Sequence, residues 1–368
     1  MKQTNNAIKF LMAQYRAIFK NANIAMVAAI AAAALASGQA QAAQGSTFEN
    51  AGFKADAAVK VTMDGTTTAD DTKGQYKNFT ISGGEADQAF TNDQENVLTV
   101  TGGKADSGSV FKGKAADSTG IITLAKTSLI IAGTADNSTD AVVSIGEGTS
   151  GAAVTLGSVT AGKGTLDVVK GSLTAGSLTL KNKSLLKLTD GDVTADSITL
   201  ESGSVVDITK GSLGKAGNTI TVPAGAKIDT QAANTAPDNA KVLGNLDISG
   251  TLNVANDKGI KIEGVTNLKS GSTFVTSGAT ILANGGSIDD KATLKVGTAS
   301  DIRIGEATLT LSSTNLKTLL GGATAKVQSK SNEHAVVQLT DKTTKEKPLD
   351  LATATIISTS DGTVIDKL

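Results

Sequence analysis

Between Thr165 and Ile220 the chain repeats itself with a period of twenty residues. The stretch GTLDVVKGSLTAGSLTLKNK is followed by SLLKLTDGDVTADSITLESG and then by SVVDITKGSLGKAGNTITVPAG. In this register Leu166, Leu186 and Val206 coincide, as do Val168, Leu188 and Ile208. Leu173, Val193 and Leu213 form a third set, and Leu178 and Leu180 match Ile198 and Leu200. Gly171, Gly191 and Gly211 fall on one another between the runs. A fixed period of this length is the mark of a stacked architecture, in which each repeat buries its apolar face against its neighbours. Inside each repeat the apolar residues return at every second position, which is the spacing of a strand with one buried face. The breaks are made of Gly, Asp, Asn, Ser and Lys, residues that tolerate turns. Two short strands per twenty residues, laid in register, predict an all-β chain folded as a right-handed parallel β-solenoid.

Composition fits that reading. Aromatic residues make up 3% of the 368, and Trp and Cys are absent. A core without large rings needs many small aliphatic contacts, which stacked columns of Leu, Val and Ile supply. The three prolines are Pro223, Pro237 and Pro348, in keeping with a fold where a Pro inside a coil deletes a ladder hydrogen bond. The alternative is a β-sandwich, which shares the short strands but not a twenty-residue side-chain register. At twenty residues per coil, residues 44–368 would give about 16 coils and a rod of roughly 75–80 Å at the ~4.8 Å strand spacing. The segment AGAKIDTQAANTAPDNA, lying between Pro223 and Pro237 and just past it, reads as an irregular loop between coils.

Weaker copies flank the central repeats. FTISGGEAD (Phe79–Asp87) and LTVTGGKAD (Leu98–Asp106) lie 19 residues apart and read as successive copies. LDISGTLNV, TNLKSGSTFVTSGATIL and DKATLKVG keep the same grammar further on. The expected organisation is a leader over 1–42, an N-terminal cap or polar lead-in over 43–78 and solenoid repeats over 79–312. C-terminal coils or a cap follow over 313–368, including a short helix in STNLKTLLGGATAK, a charged loop and a last strand pair.

The first 42 residues read as an export signal. Lys2, Lys9, Arg16 and Lys20 precede the apolar run IAMVAAIAAAALA, and Ala40 and Ala42 occupy the −3 and −1 positions of a small-residue cleavage site. Thirteen apolar residues, Ile24 to Ala36, are too few to span a bilayer. Four of the 34 cationic residues and none of the 35 acids lie in this leader, leaving 30 against 35 in the mature chain. With Arg303 the only mature Arg and Lys spread thinly, no nucleic-acid partner is expected.

The long charged extension before the apolar run, together with the repeats and runs such as SGTLNV and GSLTAGSLTL, resembles the Gram-negative autotransporters and haemagglutinin-like adhesins. The resemblance implies an exported rod at the cell surface or outside the cell, acting as an adhesin or a self-associating passenger. Its partners would be a host or matrix glycan or protein, or its own kind. The chain ends at Asp366-Lys367-Leu368 without the β-barrel that closes autotransporters. The resemblance therefore implies a truncated sequence, an outer-membrane transporter or barrel that this chain does not contain, or simple release.

Motifs for chemistry are thin. The one His, His334 in SNEHAVVQL, has neighbours that a strand would point to opposite faces. ADSGS places Ser107 where a trypsin-like protease has its nucleophile, but the same ADS recurs at Ala195–Ser197 as turn chemistry. GSVFKGKA approaches a P-loop and puts Ala115 where Mg²⁺ needs a hydroxyl. TDGDVTAD carries three acids without the spacing of a calcium loop. Asp167 and Asp207 share a repeat position with Lys187 between them. Adjacent coils would then carry alternating charge, which relieves repulsion. The expectation is a non-enzymatic rod with no cofactor and no metal. A polysaccharide-degrading β-helix enzyme or a structural surface-layer or matrix protein are the alternatives, though Tyr76 is the only mature Tyr available to stack on sugar.

Overall fold

The computed structural model of the chain describes residues 60–64, 75–76, 78–83, 90–91, 96–100, 109–113, 115–133, 141–230, 239–255, 259–298, 300–321, 325–330, 335–341, 349–350 and 356–357. The leader with Ala40 and Ala42 lies outside these residues, as do Ser107 and His334.

The chain coils as a parallel β-solenoid. Thr165–Val168, Leu185–Leu188 and Val205–Ile208 lie side by side and parallel, with Leu166 opposite Leu186 and Leu186 opposite Val206. The column runs on through Ile228, Leu252 and Phe274 to Leu294. Leu166, Leu186 and Val206 are fully buried. Burying each such side chain contributes roughly 1.5–3 kcal/mol. The other aligned positions are equally interior. Val168, Leu188 and Ile208 are buried, as are Leu173, Val193 and Leu213, and Leu178, Leu180, Ile198 and Leu200.

Ten parallel strands and one antiparallel strand make the first face, from Lys60–Asp64 through Asn78–Gly83 to Thr293–Val296. From Ser109–Gly113 to Thr293–Val296 the chain completes about eight turns of roughly 22 residues. At ~4.8 Å per turn that stretch is about 38 Å long; twenty-residue coils would give about nine turns over these residues, the 16-coil expectation having covered all of 44–368. Two causes account for the difference. Early coils are long, with Thr80 opposite Val110 and Ser109 opposite Val143. Later ones vary, with Val205 opposite Lys227 and Lys227 opposite Thr251.

Each coil has three apolar runs where the sequence suggested two strands. In Gly171–Leu180 the buried residues are Leu173 and Ala175, then Leu178 and Leu180. The step of three between Ala175 and Leu178 marks a corner at Gly176, so this one strand serves a second and a third face. A Cβ on Gly176 would sit 2.7 Å from the Gly157 carbonyl oxygen of the preceding coil, so the corner has no room for a side chain. From Gly211–Leu213 and Thr219–Val222 onward the two faces carry separate strands.

Two further readings change. Phe79–Gly83 and Leu98–Val100 are not successive copies. Asn78–Gly83 is on the first face, whereas Asn96–Val100 pairs with Asn96 opposite Thr127 on the third. Their likeness is that of two inward-facing strands within one long coil. The supposed loop between the prolines holds a coil strand, Lys227–Asp229, paired to Val205–Asp207 on one side and Thr251–Asn253 on the other. Its single inward residue, Ile228, was too short a period to read against the flanking polar residues.

Among the described residues, elements outside the coils lie against the first face at each end. Lys60–Asp64 lies antiparallel on Asn78–Ser82. The helix Ser313–Leu319, capped by the Ser312 side chain accepting from the Asn315 N–H, packs on Thr293–Val296 with Leu316 and Leu319 buried. Leu349–Asp350 and Ile356–Ile357 run antiparallel to the last coil strands.

Candidate functional surface

With the interior given over to aliphatic columns, every group that can meet a ligand points outward. On the first face the outward column runs Asp167, Lys187, Asp207, Asp229, Asn253. Lys187 Nζ lies 3.6 Å from Asp167 Oδ2, and the Thr189 hydroxyl donates to Asp167 Oδ1 at 2.9 Å. Asp229, almost completely buried, pairs with Lys227 and accepts from the Asn253 amide at 2.8 Å. Lys187 separates the carboxylates of Asp167 and Asp207, while Asp207 lies opposite Asp229, whose charge Lys227 and the Asn253 amide meet. A surface pair such as Lys187 with Asp167 is worth under about 1 kcal/mol, whereas the pairing of buried Asp229 with Lys227 offsets the cost of burying its charge. Their main effect is to let acids stack at strand spacing without repulsion.

The third face differs. Its outward positions in four successive coils are Ser158 and Thr160, Ser177 and Thr179, Ser197 and Thr199, Thr219 and Thr221. None carries charge. Ser158 donates to Ser128 Oγ at 2.9 Å. Further along, the Asn267 amide donates to Asp247 at 2.9 Å and the Ser287 hydroxyl to Asn267 at 2.8 Å. The second face has Thr155, Thr174 and Thr194 in one column, beside an outward column that carries Asp192, Lys241 and Lys261. The result, from Ser158 to Thr221, is a grid of hydroxyls at the ~4.8 Å repeat of the backbone, joined further along by the Asp247 carboxylate, which Lys269 pairs at 3.4 Å.

One concave feature interrupts it. The repeat GSLTAGSLTL becomes GSLGKAGNTITV at Gly211, two residues longer. The extra residues push the corner outward and open a groove of about 330 Å³ against the coil before it. Ala195, Asp196, Ser197 and Ile198 form one wall, and Gly214, Lys215 and Gly217 to Ile220 the other. Lys215 Nζ pairs with Asp196 at 2.9 Å, and the Asn218 amide donates to the Asp196 carbonyl at 2.8 Å. The length mismatch between repeats was the available sequence signal for it.

The acids of TDGDVTAD do not converge. Asp190 pairs with Lys210 at 2.8 Å, Asp192 accepts from the Ser212 N–H and hydroxyl at 2.8 and 2.6 Å, and Asp196 takes Lys215. Among the described residues no three His, Cys, Asp or Glu come together. The P-loop-like stretch is a strand, Ser109–Gly113, followed by a turn at Ala116 and Asp117. A cluster that sequence reading did not single out surrounds Asp301. Arg303 donates to it at 3.0 and 2.7 Å, Gln328 at 3.0 Å, and Lys326 lies 3.6 Å away. The i, i+2 pair of Asp301 and Arg303 was its only local trace.

The fold defines a parallel β-solenoid with ladders of paired side chains on its faces. Comparison with protein families, curated proteins and solved structures finds no match for this chain.

Proposed function

We propose that this chain is an exported, non-enzymatic rod of a Gram-negative bacterium that acts at the cell surface or outside the cell. Its role would be adhesion or self-association in the manner of an autotransporter or haemagglutinin-like passenger. An outer-membrane transporter or barrel outside this chain would deliver it. The observation that carries the reading is the distribution of outward polar groups. Hydroxyls and amides recur coil after coil on the third face, while the charged groups of the first face are spent on one another. Such a surface binds by repetition, and weak contacts repeated along a rigid rod gain avidity without any one strong site. The apolar leader with its small-residue cleavage site supports export.

Surface display is the test. The full-length chain is expressed with a candidate transporter in a Gram-negative host, followed by protease shaving of intact cells and a cell-aggregation and matrix-binding assay. Protease-accessible protein with aggregation or matrix binding is the expected result. Protein held inside the cell, or displayed protein that changes neither readout, would overturn the proposal. Asp167 and Asp207 in one outward column keep a carbohydrate-cleaving reading open to trial. Turnover of any member of a glycan panel, abolished by Asp167→Asn or Asp207→Asn, would replace the non-enzymatic reading.

A further inference from the structure

The groove beside Gly214 lies where the ladder between two coils opens. Gly191–Leu200 meets the next coil in register at Val193, opposite Leu213, and again at Thr199, opposite Thr221. Residues 194–198 fall between these points, and the Asn218 side chain reaches across by donating to the Asp196 carbonyl at 2.8 Å. The floor is apolar. Gly214 stands at φ +90° without a side chain, and a Cβ there would lie 3.1 Å from Ile220 Cδ1 and 3.9 Å from Ile198 Cδ1. Ile198 keeps 9% of its surface exposed, whereas Val159 and Leu178 in the same column keep none.

The rim is polar and balanced in charge. The paired side chains of Lys215 and Asp196 remain 54% and 72% exposed. The Ser197 and Thr219 hydroxyls and the Asn218 amide stand beside them, each group able to donate and to accept. At about 330 Å³ the groove is at the small end of ligand sites, which run from about 300 to 1,000 Å³. These features select the ligand. A free ion meets a pair already matched. A wholly apolar molecule would cover polar groups without replacing their hydrogen bonds to water. A polyanion needs clustered cations, and Lys215 is the only cation among the described residues that line the groove. A sugar ring has an apolar C–H face and a belt of hydroxyls, the complement of an isoleucine floor with a rim of mixed donors and acceptors.

We propose that this groove seats one sugar of a neutral polysaccharide, and that the rest of the glycan continues along the third face. Ser158, Ser177 and Ser197 form a column that runs into the groove, with Thr160, Thr179 and Thr199 beside it. That track carries no charge, in keeping with an uncharged glycan. In the groove Asp196 accepts from sugar hydroxyls, while Lys215 and Asn218 donate to them. A single groove holds such a glycan weakly, and many rods on one surface supply the avidity. The proposal narrows the adhesive reading above and rests on it for its setting.

The test is titration calorimetry of the purified full-length protein with disaccharides and hexasaccharides of glucose, galactose and mannose, and with oligogalacturonate as the charged comparison. Saturable binding of at least one neutral series, insensitive to added salt, is expected. Asp196→Ala should weaken it at least about tenfold. Asp190→Ala, which also breaks an exposed lysine pair, should leave it unchanged. Ser177→Val with Thr179→Val, one coil away, should weaken the hexasaccharide and spare the disaccharide; equal effects on both overturn the course along the third face. No binding by any neutral series, preference for oligogalacturonate, or binding that Asp196→Ala leaves intact overturns the groove. Amide shifts on the unaltered protein guard against misfolded variants: Ser197 and Asn218 should move on titration while Asp167 and Lys187 stay, and the reverse overturns the proposal. Displayed protein that aggregates or adheres while the purified protein binds no sugar would remove the groove and spare the adhesive role. Sugar binding by a protein that never reaches the surface would do the opposite.

Discussion

Replacing Gly211 with Ala tests the stacking of coils at one of its tightest points. Gly211 has φ +113°, and an added Cβ would lie 1.9 Å from the Gly191 carbonyl oxygen, 2.6 Å from its carbon and 3.0 Å from its nitrogen. All three are backbone atoms of the coil below, so no rotamer change relieves the overlap. A Cβ-bearing residue at that φ costs on the order of 1–3 kcal/mol in strain. Separating the coils to clear the oxygen also weakens nearby bonds such as Gly191 N–H to Lys210 and Gly214 N–H to Val193, at about 1 kcal/mol each. The expected loss is therefore about 3–5 kcal/mol, a large share of a typical folding stability of about 5–15 kcal/mol. Gly217 separates the two terms. It has φ +83° and nothing within 4 Å of an added Cβ, so Gly217→Ala should cost only about 1–2 kcal/mol. Urea unfolding followed by far-ultraviolet circular dichroism is the assay, because the chain has no Trp for fluorescence. Equal losses for the two variants would refute the claim that coil contact, rather than backbone angle, fixes the glycine column.

Leu186→Ala should cost about 2–5 kcal/mol, whereas Leu185→Ala, one residue away on the outward side, should cost under about 1 kcal/mol; similar losses in urea melts would contradict the inward–outward alternation. Thr266 is buried among Leu252, Leu268, Phe274 and Leu282, and its hydroxyl has no protein partner, so Thr266→Val should stabilise the fold by about 1–2 kcal/mol, and a loss of stability would show the hydroxyl to be satisfied. Lys187→Ala leaves Asp167 and Asp207 without the cation between them and should lower stability by up to about 1 kcal/mol at low ionic strength. Salt should shrink that loss, and a salt-independent loss measured by the same melts would point to packing of the Lys187 stem instead.

The central coils were legible because side-chain identity and backbone register carry the same period there. Leu166, Leu186 and Val206 stack because each must bury an aliphatic chain at one repeated distance, and sequence spacing records that distance directly. The corner at Gly176 was harder to see. It shifts the apolar phase by one residue inside a single strand, and a period-two reading passes over it. Phe79–Gly83 and Leu98–Val100 misled for the opposite reason, since any two inward strands of this fold share the same alternation whichever face they belong to. The groove at Asp196 and Lys215 depends on a length difference between neighbouring coils, which carries no residue signature. The Asp301 cluster and the antiparallel cap arise from contacts between segments whose spacing follows no repeat.

Each coil touches only the one before it and the one after it, so the molecule's length is a count rather than a property of any particular residue. Duplicating residues 165–184 would insert one further layer, lengthen the body by ~4.8 Å, and leave every other layer with neighbours of the same kind. A gene built this way can lengthen or shorten its product in whole steps, keeping its two terminal elements while changing how far apart they stand.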